Sequence, residues 1–227
     1  MEEMEPLKVT FTFTSPVVRD SEYPIYLDAL LAWCVADEAE SLGGDVNAWS
    51  VADDLSHLLA LAEADGGWVW KASSLQFAPA SERFMMNMIR CCDPLLYMDG
   101  IDRGRIDVRR ERNIINSGSG QERAYQLLVP YQWMRKAEAW CIGDREMLVE
   151  ALARLPGVGK LTRNGFGAIR TVTVEPDAAA ATQWQLRVLP VGMEGVDGCQ
   201  YVPTLQCLRA PYWKKTNRVL AKEPVLL

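Results

Sequence analysis

Histidine is nearly missing: His57 is the only one in 227 residues. Structural zinc sites draw on histidine or on closely paired cysteines. The six cysteines (Cys34, Cys91, Cys92, Cys141, Cys199 and Cys207) include no C-x-x-C pair, so no structural metal is expected, and no motif asks for a cofactor. No secretory leader is expected either, because MEEMEP at 1–6 is acidic where such a leader is basic and then apolar. No stretch approaches the roughly 18 uninterrupted apolar residues of a membrane span. Together these absences predict a cytoplasmic chain without a membrane partner. Its thiols are expected to be reduced, a disulfide framework being the property of short secreted chains.

What is present is an ordinary globular composition, 49% hydrophobic, long enough to bury a core without covalent help. The net charge of −6 conceals an asymmetry. Residues 1–66 carry 14 acidic side chains against Lys8 and Arg19 alone. Between 103 and 123, Arg103, Arg105, Arg109, Arg110, Arg112 and Arg123 outnumber Asp107, Glu111 and Glu122. Between 209 and 222, Arg209, Lys214, Lys215, Arg218 and Lys222 meet no acid. An acidic chain of this kind is a poor non-specific nucleic-acid binder, since that affinity comes from phosphate neutralisation; one basic face remains compatible with it. A basic run is equally compatible with a solvated surface or tail.

Leu7 to Phe13 alternates apolar and polar with β-branched and aromatic residues, which predicts a half-buried strand. Ile25 to Ala39 has helical apolar spacing after Pro24 and is stopped by Gly43-Gly44. A second helix is expected over Val51 to Ala64, His57 included, and a strand over Trp68 to Phe77. From Pro79 to about Pro130 no clean periodicity is visible. Lys136 to Ile142 then predicts a strand, Asp144 an N-cap for a helix through Leu155, and Ala168 to Val174 another strand. The order strand, helix, strand, long insertion, strand, helix, strand makes this an α+β protein. It is the ferredoxin-like β-α-β-β-α-β plan that RNA-recognition modules also use. The expected domain covers 1–176 with its insertion at about 79–130. An extension follows over 177–227, with a strand at Trp184 to Leu189 and a basic tail.

One segment asks for chemistry. GVGKLTRNGFG at 157–167 is two Gly-apolar-Gly units five residues apart, following a helix and preceding a strand. It is neither a Walker A loop nor a dinucleotide fingerprint, both of which open a helix after a strand. Glycines let backbone approach a ligand and can aim amides at phosphates. Lys160 and Arg163 add charge, and Thr162 and Asn164 add hydrogen-bonding groups. Turn glycines alone would account for a single Gly-x-Gly; the doubled unit with a basic centre favours contact with a ligand.

This loop resembles the glycine-rich loop of the RAMP superfamily of CRISPR-associated proteins, which are built on ferredoxin-like RNA-binding domains. The Leu7 to Phe13 strand, the TSPVVRD segment at 14–20 and the helix from Ile25 are similar to those of the small RAMP subunit of type IV effector complexes. That subunit caps the 5′ handle of the guide RNA. The resemblance implies a non-catalytic subunit that nucleates a ribonucleoprotein with the backbone and large subunits of the same effector. It leaves open a contact with target DNA near the guide 5′ end. It further implies that Gly157, Gly159, Lys160, Thr162, Arg163, Asn164, Gly165 and Gly167 meet guide-RNA backbone, with Ser15 and Arg19 nearby. A thumb-like insertion would engage nucleic acid through Arg103, Arg105, Arg109, Arg110 and Arg112. Lys214 and Lys215 are the tail candidates.

Some RAMP relatives cleave RNA with a histidine or lysine as general base. His57, set among Leu55, Leu58, Leu59 and Leu61, is expected instead to be a partly buried structural residue. Precursor cleavage stays as an alternative, as does a protein-only assembly factor whose tryptophans and basic segments meet protein partners.

Overall fold

A computed structural model describes residues 4–19, 23–43, 52–91, 93–105, 118–119 and 123–225. Strand β1 (Glu5–Phe13) is the spine of the main sheet. Its alternation puts Leu7, Val9 and Phe11 wholly out of solvent. It pairs antiparallel on one side with β5 (Tyr125–Gly143), Leu7 opposite Cys141, and on the other with β6 (Ile169–Pro176), Leu7 opposite Pro176. With β4 (Gln76–Arg90) the sheet runs β4-β5-β1-β6. Helix α1 (Leu27–Ser41) supplies Leu27, Leu31 and Cys34 to the core. Helix α3 (Arg145–Leu152) adds Leu148 and Leu152, while β5 contributes the small Ala137, Ala139 and Cys141. Asp144 caps α3 as expected, its carboxylate accepting the Met147 amide at 3.0 Å. The chain is thus α+β with mostly antiparallel sheets, an arrangement consistent with a ferredoxin-like fold.

The helix expected over Val51 to Ala64 does not form in the described residues 52–64. Leu55, Leu58 and Leu59 are buried by turns, in which Leu55 carbonyl accepts both the Leu58 and Leu59 amides. β2 (Leu61–Ala64) then turns back through Asp65 and Gly66 onto β3 (Gly67–Trp70). Short-range leucine spacing cannot distinguish a turn from a helix; the Asp-Gly pair was the informative signal, and it marks a hairpin. His57 sits exposed in this turn, contrary to the burial expected of it.

The strand expected over Trp68 to Phe77 is two strands, β3 ending at Trp70 and β4 starting at Gln76, with single bridges at Ala72 and Ser74 between them. Nor does the pattern break at Pro79. That residue lies inside β4, an edge strand, the kind of strand in which a sheet tolerates proline. Pro130 lies in β5 beyond Ala137, the last residue of the register with β1.

The chain divides into a larger unit, Met1–Glu82 with Gln132–Leu227, and a smaller one, Arg83–Tyr131. In the smaller unit, helix α2 (Pro94–Asp102) is capped by the Asp93 carboxylate, which accepts the Leu95 amide. Phe84 stacks on Tyr131 with ring centroids 5.6 Å apart. Met85, Ile89, Leu95, Leu96, Met98, Leu127 and Leu128 are exposed there, so its apolar residues follow no burial period.

Residues after 176 belong to the larger unit. The strand expected over Trp184 to Leu189 is largely absent: Trp184 follows the short helix α4 (Ala180–Gln183), and β7 is only Leu189–Pro190. β7 joins β8 (Tyr201–Cys207) and β9 (Arg218–Pro224) in the order β7-β9-β8. What fastens this region is a polar knot. Arg187, with no exposed surface, donates to the carbonyls of Trp70 (2.8 Å), Ala72 (2.9 Å) and Leu208 (2.6 Å) and to the Tyr212 hydroxyl (2.6 Å). It also pairs with the fully buried Asp28 of α1 at 3.2 Å. Tyr212 in turn donates to Asp28 at 2.8 Å and stacks on Tyr26 at 4.3 Å. Burial alone would push the Arg187 guanidinium down, but Asp28 and the two tyrosines outweigh it and hold it above its ordinary value.

Candidate nucleic-acid interface

The loop 157–167 closes on itself and on the segment after β1. Gly157 bridges Ala168, and the Val158 amide donates to Gly167 carbonyl at 2.9 Å. The Lys160 amide donates to Val18 carbonyl at 2.7 Å and the Gly167 amide to Pro16 carbonyl at 2.8 Å. Ser15 Oγ accepts the Ala168 amide at 2.9 Å. Segment 14–19 is itself stitched to β5, Val17 and Gln132 exchanging both backbone bonds. Structure therefore brings Ser15 and Arg19 into one region with the glycine loop.

This geometry gives three of the glycines a reason within the protein itself. A Cβ at Gly167 would collide with Val158 carbonyl, at Gly157 it would meet Gly167 carbonyl at 2.8 Å, and at Gly159 the Val18 carbonyl at 2.5 Å. These three positions serve close approach of the protein's own backbone. Gly165, at φ 86 with open space around it, ends a short 3-10 turn, Thr162–Asn164, that begins after Leu161 at φ 58. The amides of Val158, Lys160, Asn164, Gly165, Phe166 and Gly167 are all donated internally. Much of the expected row of amides for phosphate is thereby committed, and the loop presents side chains instead. Lys160, Arg163, Asn164 and Gly165 are exposed, and Thr162 is half-buried. Ser15 is a fastener of the loop, and the Arg19 guanidinium lies 4.9 Å over the Phe77 ring.

Arg103 and Arg105 of the smaller unit both pair with Asp99, at 2.7 and 2.6 Å, so one carboxylate offsets part of their charge. Arg109, Arg110 and Arg112 fall outside the described residues. Lys214 and Lys215 are exposed next to Trp213, which is 73% exposed, at the turn leading into β9. Sequence reading missed Arg170, exposed three residues after the loop, because it sits within an alternating strand pattern. The clamp by Pro16, Val18 and Gln132 left no signal, being made of backbone groups.

Among the described residues no cluster of metal-ligating side chains occurs, and no helix is long and apolar enough to cross a membrane. The described cysteines, Cys34, Cys91, Cys141, Cys199 and Cys207, are free thiols. No curated protein matches the chain. The family model described as CRISPR type IV associated protein Csf3 matches residues 5–224. With nearly its whole length matched, the chain belongs to the Csf3 family of CRISPR type IV associated proteins.

Proposed function

We propose that this protein is the non-catalytic RNA-binding subunit of a cytoplasmic type IV CRISPR ribonucleoprotein, holding the 5′ handle of the guide RNA and nucleating assembly with the backbone and large subunits. The fold in this reading is a β-α-β-β-α-β domain with a thumb-like insertion and a C-terminal extension. One observation carries the reading: in a member of this family, a loop locked by its own backbone leaves Lys160, Arg163 and Asn164 exposed. A rigid loop holding two cations places charge against phosphate without an ordering cost at the moment of binding. Arg103, Arg105, Arg109, Arg110 and Arg112 would act on the insertion, at nucleic acid near the guide 5′ end.

Combined Lys160→Ala and Arg163→Ala substitution should weaken handle-RNA binding. It should also flatten the dependence of log affinity on log salt by about 1.4, at about 0.7 per single-strand phosphate contact. Unchanged affinity and slope in the folded variant would remove the loop from the interface.

The exposure of His57 favours testing a second reading, in which it acts as general base on precursor RNA. The proposed subunit should not cut precursor guide RNA on its own, and His57→Gln should assemble normally. Cleavage by the wild type that is lost in that variant would establish the second reading instead.

A further inference from the structure

A cleft of about 300 Å³ lies in the larger unit, away from the glycine loop and sharing no residue with it. Trp68, Trp70, Leu55, Arg209, Asp53, Asp28 and Asn217 line it, together with two small residues. The Arg209 guanidinium is 3.5 Å from the Trp68 ring centroid and donates to Trp68 carbonyl at 2.8 Å. Trp70 stands edge-on to Trp68, centroids 5.1 Å apart at 85°. Asp28 backs the cleft with its charge already matched by Arg187 and Tyr212. Asp53 and Asn217, both exposed, stand at the rim.

The lining narrows the ligand. An anionic group such as phosphate would meet the carboxylates of Asp53 and Asp28. A cationic head would find the Trp68 face already taken by Arg209. An aliphatic group would make no use of the polar groups of Arg209, Asp53 and Asn217. What matches is a neutral, flat heterocycle: it stacks on a guanidinium plane that Trp68 holds rigid, and its edge gives hydrogens to Asp53 and exchanges them with Asn217. The volume, at the lower end of the roughly 300–1,000 Å³ of small-molecule pockets, suits one ring system and not a run of stacked bases.

We propose that this cleft is a binding site for a single unpaired purine base. The larger stacking face of a purine and its donor edge are what Arg209 and Asp53 select. Burial, with Arg187 beside it, lowers the Arg209 guanidinium from its ordinary value, while Tyr212, Asp53 and Asp28 work against that shift.

The test is calorimetric titration of the full-length protein with adenosine, guanosine and uridine monophosphates, and with a short uridine strand carrying or lacking one central purine. Purine monophosphates should bind better than uridine monophosphate. Arg209→Lys, which keeps the charge and loses the plane, should weaken them about tenfold, the size of one lost base stack. Asn217→Ala at the exposed rim should weaken them with no change in melting temperature, which guards against a folding defect in the arginine variant. The Lys160→Ala, Arg163→Ala protein should bind the monophosphates normally, so the cleft and the loop fail or succeed separately. A purine-dependent gain in the strand that Arg209→Lys abolishes identifies the source as a nucleic-acid strand; binding of monophosphates alone identifies free nucleotide. Absence of any purine preference, or equal binding by wild type and both cleft variants, overturns the site.

Discussion

Two cationic regions of the larger unit use the same side-chain chemistry in opposite ways. In the knot around Arg187 the guanidinium donates to four carbonyls, of Trp70, Ala72, Val188 and Leu208, and to a hydroxyl, and faces a buried carboxylate. In the glycine loop it is the backbone that is internally satisfied, while Lys160 and Arg163 stand in solvent. The difference separates two arrangements: a cation buried among its acceptors ties distant segments of the chain together, and cations exposed on a fixed frame lie at the protein surface. Exposed charge contributes little to folding, whereas a buried charge stripped of its partner is expensive.

Substitution can break or sharpen that contrast. The largest effect is expected for Arg187→Ala, which leaves Asp28 buried without its cation; urea denaturation should report a loss of about 3–5 kcal/mol. A variant as stable as the wild type would mean that the knot does not hold the C-terminal region. Next comes the frame of the loop. Gly167→Ala combines a collision with Val158 carbonyl and a left-handed backbone at φ 62, whereas Gly165→Ala at φ 86 meets open space. The second should cost about 1–2 kcal/mol for the left-handed conformation and the first clearly more; equal costs would contradict the closed geometry of the loop. Removing Lys160 and Arg163 together should change stability by less than about 0.5 kcal/mol while altering RNA binding. Smallest of all is a chemical signature without any stability change. Burial pushes the Cys34 and Cys141 thiols up to about 12, so they are almost wholly protonated at pH 8, whereas Cys91 is exposed. Mass spectrometry after brief alkylation at that pH should find Cys91 modified well before Cys34 and Cys141.

Local pattern made part of this molecule readable. β1, α1, the Asp144 cap and β6 each declare themselves within a dozen residues, since their partners lie on one face at fixed spacing. Where the deciding contacts are remote, reading failed. The leucines at 55, 58 and 59 serve turns, Trp184 follows a helical turn, and β4 passes through Pro79 only because it lies at a sheet edge. The loop was found through its glycines, but the carbonyls that two of them approach, of Val18 and Val158, leave no trace in composition. The knot was invisible: Arg187 and Asp28 are separated by 159 positions, and each alone looks like a surface charge.

That separation also sets an order of events during synthesis. Asp28 leaves the ribosome early, and its cation and its tyrosine, Arg187 and Tyr212, follow only after most of the chain has been made. Until then α1 cannot sink its first turn into the core without burying an unmatched carboxylate, which favours a nascent chain that keeps this end of the helix wet. A chain that has emerged through Tyr212 is consequently the first species able to bury that turn with its charge matched, and a ribosome halted before residue 187 releases a fragment that should be a ready substrate for proteases.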